Sequence, residues 1–176
     1  DISLYQYTLD TAFDISSKNA GSEEKLALNP AGDPISNQTD DITFNNDGTK
    51  LFAISDNGAM NIHILSTPYD ISDATLVADD GINWRTYKEP WGSSNTTMLP
   101  QTIRFNNDGT KMYLTEAVIN TTDPQESVGV VQYNLATPFV PSSTTTVQVL
   151  NLRAQFPKTN IAIHAMNFDD DGTRMY

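Results

Sequence analysis

The sequence predicts an all-β fold, a β-propeller with four-stranded antiparallel blades, and three observations support this prediction. Two motifs alternate along the whole chain of 176 residues. Each motif has the alternating apolar pattern and the turn residues that are typical of strands and hairpins, and no segment sustains a helical period. A four-stranded sheet that recurs along a chain needs a neighbouring sheet to cover its faces, which is the arrangement found in propellers.

The first motif is a predicted strand pair around an Asp-Gly turn. It reads ITFNNDGTKLFAIS, IRFNNDGTKMYLTE and MNFDDDGTRMY, and its phenylalanines, which are 61 and 63 residues apart, are Phe44, Phe105 and Phe168. Glycine accepts the positive φ of such a turn, and this is the short-range signal for a hairpin. We therefore predict strands over residues 41–45 and 49–55 in the first copy.

The second motif is a predicted strand that ends in a corner. It reads YQYTLDTAFDIS, NIHILSTPYDIS and VQYNLATPFVPS, and its alternating part predicts strands over residues 4–9, 61–65 and 130–135. Proline fixes φ at the corner, and Asp or Ser can bond the local backbone. A fourth strand follows, most clearly over residues 75–78 and 144–152. One repeat therefore contains four strands in sequence order, an antiparallel meander.

The repeats predict a single propeller region over residues 1–176. Residues 40–99 and 100–160 form one blade each, and residues 1–39 and 161–176 form complementary parts of another. Propellers close with about 4 to 8 blades, so three blade equivalents predict either a segment of a longer, six- to eight-bladed chain or two copies that pair head to tail. We expect the longer chain, because interrupted strands leave unpaired edges.

The composition excludes several classes of function. Lys and Arg number 10 against 22 Asp and Glu, which gives a formal net charge of −12. That balance argues against nucleic acid and anionic lipid as partners, since both are bound by clusters of Lys and Arg. The chain has no cysteine, so disulfides and thiolate chemistry are excluded. Its apolar runs are too short to predict membrane insertion, and no motif implies a cofactor.

The two motifs together resemble the YVTN-type β-propeller repeats of bacterial secreted and surface proteins and of some phage structural proteins. The resemblance rests on FxxDGTKLY followed by YxLSTPYDIS and covers essentially the whole chain. This sequence has Asn-Asp-Gly or Asp-Asp-Gly where the family turn has Pro-Asp-Gly. The resemblance implies a propeller fold and an extracellular, cell-surface or virion location.

The connections between strands predict a binding face. In a propeller the repeated turns and corners lie on one face, and the variable connections lie on the other, where function concentrates. These variable connections are residues 20–39, 79–100 and 116–128. The second of them carries Trp84, Tyr87 and Trp91. Exposed rings can stack on sugars or anchor a protein partner; alternatively, these rings pack the loop onto the blade edge.

A second candidate site lies where first strands would surround a central channel. Four positions before the phenylalanines stand Asp40, Gln101 and His164, and Asp41 follows the first of them. Propeller enzymes and metal-binding propellers often place ligands at such a channel mouth, so these four residues form a candidate ligand-binding constellation. Alternatively, they are polar residues facing a solvated channel. His63, within a predicted strand, is expected to be structural.

The acidic turns raise the question of calcium. In the third repeat Asn167, Asp169 and Asp171 precede Gly172 at a spacing that resembles the start of a calcium loop. The other two repeats lack this spacing, and no bidentate glutamate follows within the chain. We therefore predict that these carboxylates bond within the hairpins and that no metal is bound.

The leading functional prediction is a non-enzymatic, secreted or surface-displayed module for structure, adhesion and recognition of a protein or glycan. The sequence lacks a glycine-rich phosphate loop, a nucleophile elbow and a histidine-rich metal motif, which favours a non-catalytic role. One alternative is a propeller enzyme, such as a lactonase-like hydrolase, with its site at the channel mouth. Another is a self-assembling filament or virion subunit, in which strands of successive copies pair.

Overall fold

The computed structural model describes residues 2–28, 38–55, 57–77, 82, 84, 96–120, 128–152, 154–155 and 163–176. Its secondary structure consists of strands and three short 3-10 turns, Ile15–Ser17, Ile71–Asp73 and Pro141–Ser143. The strands are β1 (Ser3–Gln6), β2 (Glu24–Ala27), β3 (Asp41–Phe44), β4 (Lys50–Ile54), β5 (Met60–Ile64), β6 (Thr75–Leu76), β7 (Thr96–Phe105), β8 (Lys111–Asn120), β9 (Val128–Leu135) and β10 (Thr144–Asn151). Within these ranges, no helix has the length and apolar character needed to cross a membrane.

Two antiparallel four-stranded sheets form the body of the protein. Sheet 1 has the order β3-β4-β5-β6 and sheet 2 has the order β7-β8-β9-β10, so both are meanders in sequence order. The strands β1 and β2 form an N-terminal pair. Residues 163–176 contain a C-terminal hairpin, in which Phe168 bridges Met175. The predictions of an all-β chain and of four-stranded antiparallel sheets are confirmed, although the described residues do not form a closed ring.

All three predicted connections, residues 20–39, 79–100 and 116–128, contain strand residues, which corrects their assignment as loops. Strand β2 lies within residues 20–39, where three of its four residues are exposed and Leu26 alone is partly buried. Because β2 is mostly polar and exposed, its sequence lacks the apolar alternation by which strands are predicted. Strands β7 and β8 run through residues 96–100 and 116–120. A register shift between Pro100 and Thr102 accommodates the proline, as β-bulges commonly do.

The repeats lie side by side in equivalent orientations. The Asn46 side-chain amide donates to the Asn107 carbonyl, and the Asn107 amide donates to the Asp170 carbonyl at 3.1 Å. These bonds join the same turn in successive repeats, 61 and 63 residues apart. Strands β3 and β7, the first strands of the two sheets, are also in contact. Each repeat therefore packs against the next one along the chain.

Sheet 1 is covered on both faces. Side chains alternate along strand β4, so that Phe52 and Ile54 pack toward sheet 2, whereas Leu51 and Ala53 pack toward the N-terminal pair. The core between the sheets comprises Phe52, Ile54, Met60, Trp84, Ile103, Met112, Leu114, Val131, Tyr133 and Leu135. His63 is 1% exposed within β5, as expected of a structural strand residue. Burial on both faces explains the nearly continuous apolar run of β4.

Candidate functional site

Asp41, a predicted channel-mouth residue, joins the first strands of the two sheets. Its Oδ2 accepts from the Ile103 amide at 3.0 Å and from Arg104 Nη1 at 2.5 Å. Both side chains are largely buried, with 18% of Asp41 and 29% of Arg104 exposed. The carboxylate is therefore held in an ion pair between repeats. Arg104 was not among the predicted site residues. Its signal in the sequence was a basic residue in the first strand of one repeat, where the first strand of the preceding repeat carries Asp41.

The other predicted channel-mouth residues have separate environments. The Asp40 carboxylate accepts from Gln38 Nε2 at 2.7 Å, and the Gln101 amide is 9% exposed and donates to the Pro100 carbonyl at 3.4 Å. His164 is exposed. Within the part of the chain that the structure describes, no group of three or more His, Asp or Glu side chains could hold a metal ion. The predicted constellation is therefore not gathered into a metal-type cluster.

Trp84 is a core residue, which corrects the prediction of an exposed ring. Its side chain is 0% exposed, and its ring meets Tyr133 edge-on with 5.2 Å between centroids. Its backbone amide donates to the Gly58 carbonyl at 2.8 Å. The alternative interpretation, in which the ring packs its loop onto the sheets, therefore applies to Trp84. Tyr87 and Trp91 lie outside the described residues.

The aspartates of the turns bond within their own hairpins. Asp108 Oδ1 accepts from the Thr110 amide at 2.9 Å and from the Thr110 hydroxyl at 2.5 Å. Asp47 and Asp171 make the same pair of bonds to the threonine two residues on. The hydroxyl bond is the main cause that lowers the pKa of each carboxyl. The prediction of hairpin bonding is confirmed, because side-chain oxygens stabilise the local backbone as in an Asx turn.

These lowered pKa values predict acid sensitivity of the fold. A carboxyl whose folded pKa is lowered stabilises the fold fully above its ordinary value of about 3.9, and this stabilisation is lost as pH falls through the folded pKa. We expect Thr110→Val, which removes the hydroxyl donor to Asp108, to raise the pKa of Asp108 in the folded protein. The free energy of unfolding should then depend less on pH. Urea unfolding of both proteins at about pH 6 and about pH 3 measures this.

The matched control is Thr145→Val, because the Thr145 hydroxyl donates to a backbone carbonyl, that of Asn134, and not to a carboxylate. We expect this control to keep the native difference between the two pH values. An equal pH dependence in Thr110→Val and the native chain would show that the hydroxyl bond does not set the pKa of Asp108.

A cleft lies between the turn of sheet 2 and the C-terminal hairpin. It has a volume of about 310 Å³ and includes Lys111, Asp108 and Asp171 in its wall. The rings of Tyr113 and Phe168 pack in this wall with 4.7 Å between centroids, and burial raises the pKa of Tyr113. The wall also includes Asp169, which accepts from the Arg174 amide at 2.9 Å. Because all three carboxylates are bonded within their own hairpins, the cleft presents a polar rim without a free pair of acids.

The opposite end of sheet 2 extends beyond sheet 1. The ladder between β3 and β4 ends at the pair Asp41 and Ile54. The ladder between β7 and β8 passes the equivalent pair, Thr102 and Thr115, and continues to Thr96 and Asn120. At about 3.4 Å per residue, these five added residue pairs project about 17 Å. We call residues 96–100 and 116–120 the extended hairpin; it lies at the end where the variable connections were predicted.

The chain matches no known protein-family profile, no curated protein and no solved structure.

Proposed function

We propose that this chain is a non-enzymatic β-propeller module, secreted or displayed on a cell or virion surface, that binds a protein or glycan through the extended hairpin end. The observation that supports this proposal most directly is the difference between the two ends of the sheets. One end is regular and internally bonded in every repeat, whereas the other differs between sheets 1 and 2.

The turn end consists of structural contacts. Asp47 and Asp108 each bond a threonine of the same turn, and Asn46 and Asn107 join their turns to the turn of the next repeat. Because these side chains already form hydrogen bonds within the protein, few of their polar atoms remain to bind a ligand. A repeated scaffold with variation at one end is the usual way in which a rigid fold carries a binding surface.

The extended hairpin is the feature that makes the other end of sheet 2 different from that of sheet 1. Its ladder, from Thr96 paired with Asn120 to Pro100 paired with Glu116, projects past the equivalent strands of sheet 1. Strand β9 supports its base, since Val128 pairs with Ala117. A ligand-binding element supported by a three-stranded sheet loses little conformational entropy on binding.

The propeller arrangement is supported by the packing of equivalent elements. Successive turns contact each other at the repeat spacing, and Asp41 in strand β3 bonds Ile103 and Arg104 in β7. Sheets that stack in the same orientation through their first strands are the units from which a propeller is assembled. The proposed extracellular setting agrees with the charge of −12, because a net charge of one sign keeps a rigid particle soluble.

The experiment measures binding of the native chain to a printed array of cell-surface glycans and to a panel of purified extracellular-matrix proteins. The test variant deletes Thr97 and Met98 together with their ladder partners Ile119 and Val118. Removing two residues from each strand shortens the hairpin and keeps the alternation of faces. We expect any ligand detected for the native chain to bind at least about tenfold more weakly to this variant.

The matched control is Thr67→Ala, an exposed position at the corner of sheet 1 on the other end. We expect this control to bind like the native chain. Equal binding by the shortened and native chains, with both folded by circular dichroism, would contradict a binding role for the extended hairpin. Hydrolysis of an arrayed glycan would instead favour the enzyme alternative.

A further inference from the structure

A polar pocket lies between the N-terminal pair and the corner of sheet 1. It has a volume of about 390 Å³, within the range of about 300–1,000 Å³ that is typical of ligand sites. Its wall includes Gln6, Thr8, Ser22 and Glu24 from the N-terminal pair and Tyr69 and Asp70 from the corner. Both elements that form this junction therefore contribute to the pocket.

Gln6 fixes the two sides of the pocket relative to each other. Its Nε2 donates to the Tyr69 carbonyl, and its Oε1 accepts from the Ile71 amide, each at 2.8 Å. Strand β2 also contacts the Ile71–Asp73 turn. Because the two sides are joined before a ligand enters, little conformational freedom is lost when one binds.

The equivalent junction, between sheets 1 and 2, is apolar. The repeated motif and the strand ladders place an apolar residue of that junction at each of five pocket positions. The pairs, with the pocket residue first, are Gln6 and Ile62, Thr8 and Ile64, Glu24 and Val77, Tyr69 and Phe139, and Asp70 and Val140. Glu24 pairs with Gln6 in its ladder. The Val77 amide donates to the Ile62 carbonyl at 2.9 Å, which makes Val77 the equivalent of Glu24.

This comparison separates the packing of repeats from the polarity of the pocket. Ile62 and Phe139 pack against the core between sheets 1 and 2. One repeat can therefore pack on the next through apolar residues at these positions. The polar residues on both sides of the pocket are not needed for that packing, and this favours a role in binding.

The pocket is negatively charged. Its wall contains the carboxylates of Glu24 and Asp70 and, among the residues that the structure describes, no basic side chain. The basic side chains of the N-terminal pair, Lys18 and Lys25, instead lie over tyrosine rings. Within the described ranges, Glu24 is exposed and its carboxylate forms no hydrogen bond or ion pair. The Ser72 hydroxyl lowers the pKa of Asp70, which favours the charged form of that carboxyl.

Three hydrogen-bond donors of the wall are already bonded within the protein. One is the amide of Gln6, which donates to the Tyr69 carbonyl. The Ser22 hydroxyl donates to the Asn19 carbonyl at 2.9 Å. The Tyr69 hydroxyl donates to the Asn46 carbonyl at 2.7 Å. Since ionised carboxylates only accept, a ligand that brings donors and positive charge fits this wall best.

The Tyr69 ring adds an aromatic surface to the pocket. One side of the ring covers Gly48, because a Cβ placed on that glycine would come within 3.0 Å of three ring atoms. The bond from its hydroxyl to Asn46 holds the far end of the ring. Tyr69 is nevertheless 48% exposed, so a fixed ring presents its remaining surface to a ligand. Such rings attract cations, and arginine also stacks on them.

We propose that this pocket binds the guanidinium group of an arginine residue on a partner protein. A guanidinium carries a permanent positive charge, presents five N–H donors in a planar fork and stacks on aromatic rings. The two carboxylates and the Tyr69 ring match these properties. A metal ion is a poorer match, because no group of three or more His, Asp or Glu side chains in the described ranges could hold one.

The arginine pocket and the extended hairpin lie at opposite ends of the repeats. The corner that lines the pocket follows the last residue of β5, whereas the extended hairpin lies beside the first residue of β9, the equivalent strand of sheet 2. The arginine site is therefore additional to the proposed hairpin site. We expect the chain with the shortened hairpin to bind arginine as the native chain does, so the two proposals can fail separately.

The experiment titrates the native chain with an acetylated, amidated pentapeptide that has one arginine among glycine and serine residues. Backbone amide signals followed by NMR report both the binding site and the folded state. We expect the signals of Glu24 and Asp70 to shift, with a dissociation constant of about 1 mM or below. A second peptide carries citrulline, the uncharged isostere of arginine, and should bind at least about tenfold more weakly.

The test variants are Glu24→Gln and Asp70→Asn, each of which removes one charge and keeps the shape of the wall. Asparagine can accept from the Ser72 amide as Asp70 does, so the corner should keep its fold. We expect each variant to weaken binding of the arginine peptide at least about threefold, and both together at least about tenfold.

The matched control is Glu23→Gln, which removes an equal charge outside the pocket, where the Glu23 carboxylate accepts from the Tyr7 hydroxyl at 2.9 Å. We expect this control to bind the arginine peptide like the native chain. The proposal would be overturned by equal binding of the two peptides or by equal weakening in Glu23→Gln and Glu24→Gln. Loss of arginine binding in the shortened-hairpin chain, or a preference for a neutral methyl glycoside, would also overturn it.

Discussion

Replacing Trp84 by alanine is expected to lower the free energy of unfolding by about 3–5 kcal/mol. The side chain is fully buried between the two sheets, and its ring is packed edge-on against Tyr133. Truncation removes the apolar burial and leaves a cavity that the flanking strands cannot collapse to fill. The edge-on contact adds a smaller contribution of about 0.5–1.5 kcal/mol. Because Trp84 contacts both sheets, its loss should weaken the packing of one repeat on the next.

Urea unfolding monitored by circular dichroism measures this effect, with Trp84→Phe and Val77→Ala as companions. Because phenylalanine keeps an aromatic ring in the core, Trp84→Phe should lower the free energy of unfolding less than Trp84→Ala does. Val77 is 50% exposed, so its truncation should change stability by no more than about 0.5 kcal/mol. If Trp84→Ala lowers the free energy of unfolding no more than Val77→Ala does, the tryptophan does not join the two sheets.

The strands and turns of the repeats were predictable because their signals are local. The Asn-Asp-Gly-Thr turn specifies its own hydrogen bonds, as the bonds from Thr49 and Thr110 to the preceding aspartates show. Alternation of apolar residues predicted strand β9, whose Val131, Tyr133 and Leu135 are buried. Repetition also predicted which elements recur, and sheets 1 and 2 confirm it.

The burial of Trp84 could not be predicted in this way. Residues 79–100 show no periodicity, and the partner of Trp84 is Tyr133, a residue distant in the sequence. A tryptophan in such a segment is equally compatible with an exposed ligand site and with a core. The ion pair of Asp41 with Arg104 is similar, because the two side chains occupy different positions of the repeat and meet only when strands β3 and β7 are adjacent.

The extended hairpin did carry a signal. Residues 96–97 and 118–119 are β-branched, and such residues are enriched in strands. Pro100 argued against continuing β7, since proline disfavours a ladder position. The register shift at Pro100 and Thr102 removes that conflict, and a bulge of this kind is not specified by the repeat pattern.

Replacing Gly109 by alanine is expected to lower the free energy of unfolding by about 2–5 kcal/mol, the sum of two effects. Alanine at a φ of +70° costs about 1–2 kcal/mol, and a methyl group forced against the Phe139 ring adds about 1–3 kcal/mol of overpacking. The ring cannot turn away easily, because its Cγ also lies within 3.0 Å of the added Cβ. The Phe139 amide is held by the Gly109 carbonyl as well.

Gly172→Ala separates the two effects, because Gly172 has nearly the same φ, +71°, with open space around it. This variant should lose only the backbone contribution of about 1–2 kcal/mol. Adding Phe139→Ala to Gly109→Ala should reduce the cost of the glycine substitution to the same value, which a double-mutant cycle measures. An unchanged cost in the Phe139→Ala background would place the strain in the turn itself and would remove the corner ring as the reason for glycine.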